Sequence, residues 1–298
     1  MRGLAEYIMR GRTQAVIVAV MGAGIPMFFW VSAAAVGLIT LRRGIQDGGA
    51  VCLWAIAPAA IVAWYGEIMP IVAIPGVMAL AWLMRTVARW SWVLSAAAVL
   101  GLAFSAALIS VGDSYLEFVT QTFAQVFEGL DEQAASQALL QPPTAIEIAG
   151  MFGLVQTVTL IVCVLIARWW QAMLYNEGGF RTEFHAIRMS PMQALGMIAA
   201  AAALGALGPE FKLWSWMPLV PLLFAGLGLV HGIVAASGRR GWLGLFYASM
   251  LILPPVKQLL VVLAVTDSWM DFRLRLRRAS AENKGSDDSG DGSNGPQQ

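Results

Sequence analysis

Apolar residues come in long blocks along this chain, and polar residues are confined to the short stretches between them. A helix rises 1.5 Å per residue, so about 20 apolar residues cross the hydrocarbon core of a bilayer. Blocks of that length predict full spans at 49–66, 67–85, 90–111, 148–168, 192–209 and 214–236. Two further blocks are interrupted. Residues 14–41 contain Gly22, Gly24 and Pro26, and residues 241–268 contain Pro254, Pro255 and Lys257. Each is either one long crossing or a hairpin of two short helices.

Charge chooses between these alternatives, because short cytoplasmic loops carry the Arg and Lys. The arginines cluster at Arg2, Arg10 and Arg12; at Arg42 and Arg43; at Arg85 and Arg89; at Arg168, Arg181 and Arg188; at Arg239 and Arg240; and at Arg273, Arg275, Arg277 and Arg278. If both interrupted blocks return to their side of entry, every cluster faces the cytoplasm. A single crossing of either block strands one terminal cluster on the far side. The sequence therefore predicts an all-α, polytopic transmembrane helix bundle over 1–278. It has about six full spans and two short re-entrant-like hairpins, with both termini cytoplasmic in a bacterial inner membrane. The start has a basic flank but no polar mature region after a cleavage site, which predicts an uncleaved first segment.

Composition agrees with lipid as the solvent. Hydrophobic residues make up 58% of the chain, charged residues 12%, and the mean hydropathy is +0.69. A soluble domain carries about a quarter charged residues. Connection 112–147 holds Asp113, Glu117, Glu128, Asp131, Glu132 and Glu147 with no Lys or Arg, which suits the non-cytoplasmic side. Within it, apolar positions from Leu116 to Phe127 recur at helical spacing. They predict an amphipathic helix lying on the membrane or capping the bundle. The tail 279–298 has no large apolar residue and is expected to be disordered.

Three features of the chain carry a resemblance: the interrupted apolar start, the segment RWWQAMLYNEGGFRTEFHAIRMSP at 168–191, and the ending TDSWMDFRLRLRR at 266–278. Over about residues 10–278 the chain resembles the YybS-like family of bacterial membrane proteins, a family of unknown function. That family is similar in turn to the substrate-binding S components of energy-coupling-factor transporters. The resemblance implies a helical bundle around a small-molecule site, docked on a transmembrane coupling protein driven by ATPases. It also implies a docking role for Ala15, Ala19 and Ala23, which lie four apart on one face of the first short helix. Small residues at that spacing let helices approach closely, whether inside one chain or between two.

The candidate site residues are few. Glu67 in WYGEIMP and Glu210 in GPEFK occupy predicted outer turns, and Lys257 follows the double proline. Together they either line an outward-facing pocket or stand as separate turn charges at headgroup level. Trp64 and Trp214 flank the same turns, as pocket wall or as part of the interfacial aromatic belt. On the cytoplasmic side, Arg181, His185 and Arg188 fall at spacings of four and three. They offer a docking face for a partner or for anionic lipid, or they are an ordinary positive-inside loop.

Enzyme signatures are not found: there is no Gly-x-Ser-x-Gly, no His-Glu-x-x-His and no phosphate-binding loop. The chain is read as a non-enzyme with no metal and no cofactor, and nothing points to nucleic acid. Cys52 and Cys163 lie inside apolar runs as packing residues. The leading function is a small-molecule-binding or transport component. The alternative is a non-transporting scaffold or regulatory membrane protein.

Overall fold

In a computed structural model, residues 1–128, 142–238 and 241–272 are described. The acidic stretch 129–141, Arg239, Arg240, the final arginine cluster and the tail lie outside these residues. Packing divides the chain into two compact units: Met1–Glu183 with Leu195–Pro221, and Phe184–Ala194 with the chain from Leu222 onward.

All regular structure among the described residues is helical. The first unit begins with α1 (Arg2–Arg10), α2 (Arg12–Ala23), α3 (Phe29–Arg43), α4 (Ile45–Trp64), α5 (Met69–Val87), α6 (Trp90–Val111) and α7 (Asp113–Glu128). It continues with α8 (Ala145–Tyr175). Beyond it come α9 (Gly179–His185), α10 (Pro191–Gly205), the short α11 (Lys212–Trp216), α12 (Val220–Ser237), α13 (Trp242–Ile252) and α14 (Pro255–Met270). By length and apolarity, five helical runs can cross a membrane: α4, α5, α6, α8 and Pro209–Ser237; counting α13 and α14 as one bent span makes six. The chain is a multi-pass membrane protein, and large apolar side chains such as Leu53, Trp54 and Ile61 are left exposed for lipid.

Residues 14–41 form a hairpin. The chain breaks at Gly24, passes through a 3₁₀ turn at Pro26–Phe28 and returns as α3. At the tip, a Cβ on Gly22 would lie 2.9 Å from the amide nitrogen of Ser32, so only glycine lets the two arms meet there. At the base, Arg43 donates to the carbonyl of Met9 at 3.0 Å. The second interrupted block is broken at the prolines, where α13 and α14 are bent by 116°.

One expected span is shorter than predicted. The block 192–209 forms α10, which has 15 residues and ends at Gly205. That is about 22 Å of helix, less than the thickness of the hydrocarbon core. Gly208 then adopts φ +145°, a backbone conformation that side-chain-bearing residues rarely take, and the chain turns into Pro209.

The core of the first unit is built on close approach. Gly101 of α6 and Gly153 of α8 face each other: a Cβ on either would lie 2.8 Å from the other's carbonyl oxygen. Ser105 bonds the carbonyl of Ala149 at 2.8 Å across the same contact. Gly37 of α3 meets Ala167 of α8 in the same manner, 2.9 Å from its would-be Cβ. Small-residue contacts of this kind replace the hydrophobic driving force, which is lost when the solvent is itself apolar.

Candidate functional site

The turn between α4 and α5 builds the most developed site in the first unit. Gly66 takes φ +98°, which lets the chain reverse within Tyr65–Ile68 and presents Glu67. The Glu67 carboxylate accepts from the backbone N–H of Met69 at 3.3 Å. Tyr115 of α7 donates its hydroxyl to the Gly66 carbonyl at 3.1 Å and places its ring edge-on to Phe152 of α8, with centroids 5.7 Å apart. Burial, and then the charge of Glu67, hold the Tyr115 hydroxyl above the usual tyrosine range. The amphipathic helix predicted in the acidic connection is therefore present as α7, and it covers this turn.

Glu67 lines a cavity of about 470 Å³ whose other walls are Pro26, Met27, Phe29, Met69, Met151, Phe152 and Val155. The hairpin tip supplies the first three. The rim is exposed at Met27, Met151 and Val155, while Met69 beneath is buried. The lining is apolar except for one half-buried carboxylate, and no Lys or Arg pairs with it among the described residues of this unit.

Two unpartnered polar groups lie one helical turn from this lining. Gln156 is fully buried and neither amide atom has a hydrogen-bond partner. It is four residues from Phe152, on the same face of α8. Ser32 is likewise fully buried with an unpaired hydroxyl, three residues from Phe29 on α3. Buried polar groups without partners cost about 1–3 kcal/mol each, so they are rarely kept without a use.

The remaining candidates are dispersed. Trp64 is 88% exposed and takes no part in the cavity. Trp214 does not line this cavity either: it is buried, donates to the Ile146 carbonyl at 2.9 Å and fills the space beside Gly150. It ties the Pro209–Leu219 turn to the start of α8. Glu210 sits beside Gly208, half-buried and away from the cavity lining. Lys257 stands exposed in the second unit, in the first turn of α14.

Ala15, Ala19 and Ala23 are fully buried within the first unit. Their face of α2 is taken up by the chain's own packing. Arg181 is exposed on α9, while His185 closes that helix and Arg188 lies beyond its end. Arg188 is engaged: it donates to the carbonyls of Asp267 and Ser268 at 3.0 Å each and to the Asp271 carboxylate at 2.8 Å. Its role is to cap the end of α14, where cations complement the helix dipole. In the same unit, His231 shares a hydrogen bond of 2.7 Å with Tyr247 and stacks edge-on with Phe184.

Of the residues in and around this cavity, the sequence singles out Glu67 and not the methionines, Phe29, Phe152, Tyr115 or Gln156. One signal was available: Gln156 is the lone amide in the apolar block 148–168. Among the described residues, no group of three or more His, Cys, Asp or Glu is placed to hold a metal ion. Comparison with protein-family models, with curated proteins and with solved structures finds no match to this chain.

Proposed function

We propose that this chain is a small-molecule-binding component of a bacterial inner membrane, with its site in the Glu67 cavity. The observation that carries the reading is the cavity itself: about 470 Å³ at a helix break, with one carboxylate on its wall. That size falls within the usual range for ligand pockets, about 300–1,000 Å³. Broken helices at such sites are also how transporters expose backbone and polar groups to cargo. The buried, unpartnered Gln156 and Ser32, each about one turn from a lining residue, support it.

The arginine clusters as far as Arg89 support an orientation with the N-terminal end of the chain cytoplasmic, which turns Glu67 and the cavity mouth to the outer side. The YybS-like resemblance and its S-component relatives support the same reading of a binding subunit that works with an ATP-driven partner. With Ala15, Ala19 and Ala23 buried, a coupling protein has to use another surface.

The test is native mass spectrometry of the protein released from mild detergent, with the wild type compared with Val155→Trp. Val155 is half-exposed at the rim, so a larger ring there fills the cavity without overpacking the core. A small molecule retained by the wild type and lost in the variant is the expected result. No bound molecule in either, with the full chain intact, contradicts the reading and favours a scaffold.

A further inference from the structure

The chemistry of the lining narrows the ligand class, an inference that rests on the cavity being a binding site. The wall carries one formal charge, the Glu67 carboxylate, and among the described residues of this unit no cation pairs with it. The rest of the wall includes two aromatic rings, Phe29 and Phe152, and three thioethers, Met27, Met69 and Met151. A ring face attracts a cation through its quadrupole, and the attraction grows as water is excluded. Methionines adapt to irregular apolar bodies and do not select a single shape. A carboxylate in such surroundings repels anions and leaves neutral ligands no compensation for its own desolvation.

We infer that the cavity takes a lipophilic organic cation, an alkyl or aryl ammonium or a related onium ion, with its charge at Glu67 and its body among Phe29, Phe152 and the methionines. The exposed rim at Met27, Met151 and Val155 lets such a molecule enter from the apolar surroundings while its charge stays at the turn. The positive charge need not be lost on entry, since the carboxylate replaces water as its partner.

The experiment uses the full-length chain in phosphatidylcholine nanodiscs, with tetraphenylphosphonium and tetraphenylborate as probes. The two ions match in size and differ in sign; the interfacial dipole potential of the lipid favours the anion, so each ion is read against its own binding to empty nanodiscs. Binding above that to empty nanodiscs is measured by equilibrium dialysis for the wild type, Glu67→Gln and Val155→Trp. The expected result is saturable binding of the cation only, weakened about tenfold or more by Glu67→Gln and abolished by Val155→Trp. Equal binding of both ions, lost in Val155→Trp and indifferent to Glu67→Gln, overturns the cation assignment and leaves the cavity as a binding site. No saturable binding of either ion by a chain that still elutes as a folded species also overturns it. The cavity reading is then decided separately by the native mass spectra.

Discussion

Tyr115 holds the Gly66 carbonyl across 3.1 Å, one residue from Glu67, so a helix of the acidic connection is fastened directly over the turn that presents the site's carboxylate. Removing the hydroxyl with Tyr115→Phe should cost about 1 kcal/mol, the usual worth of such a bond. The larger effect is expected on the site, because α7 loses its polar tie to the turn. Thermal unfolding in detergent and probe binding, measured on the same preparation, check this. A variant with unchanged binding shows that α7 does not organise the turn.

The same tyrosine makes a pH prediction. Its hydroxyl is held above the usual range by burial first and by Glu67 second. Above pH about 10 an unfolded tyrosine ionises while the folded one keeps its proton. Stability from this group is therefore complete below pH 10 and declines as pH rises toward the folded value. Glu67→Gln removes the smaller cause, so the titration should move down yet stay above the normal range. Tyrosinate absorbance, with Tyr115→Phe subtracted, measures it; a titration in the ordinary range contradicts the burial.

Gln156 separates a structural from a binding role. If its amide serves only the fold, Gln156→Leu relieves an unpaired buried group and leaves ligand retention intact. On the present account the variant is as stable as the wild type or more so, by about 1 kcal/mol. Its retention of the bound molecule in native mass spectra should nonetheless fall. Stability and retention moving together in one direction count against the account.

The alanine face of α2 is expected to behave as core. Ala19→Leu forces extra methylenes into a fully buried position and should cost about 1–3 kcal/mol in the isolated chain. A docking surface tolerates the same change without loss of stability, and melting of the purified protein distinguishes the two.

Arg188 should prove structural as well. Its guanidinium serves two carbonyls at the end of α14 and lies beside Asp267, a buried carboxylate. Arg188→Ala should cost about 3 kcal/mol, whereas Asp271→Ala, at the exposed edge of the cluster, should cost about 1 kcal/mol or less. Urea or thermal unfolding of both variants provides the comparison, and equal losses contradict the cap.

Much of the fold was legible because length and charge are global signals. Apolar blocks gave most of the spans, and Gly22, Gly24 and Pro26 marked the first hairpin correctly. The block ending at 209 misled because apolarity alone does not reveal where a helix stops; Gly205 and Gly208 ended it early. Of the cavity lining, only Glu67 stood out in the sequence. Met27, Phe29, Met151 and Phe152 resemble any lipid-facing residues until the hairpin tip brings α3 against α8. Trp214 misled for the opposite reason: tryptophan near a span end fits the interfacial belt, but the small Gly150 opened a buried seat for it.

The central claim is that Glu67 faces an outward-opening cavity that a ligand can occupy. Glu67→Cys tests it in spheroplasts with a membrane-impermeant maleimide, since the native Cys52 and Cys163 are buried. The account predicts labelling from the outer side, slowed when Val155→Trp fills the cavity. Labelling only in inverted vesicles, or labelling unaffected by Val155→Trp, would contradict it.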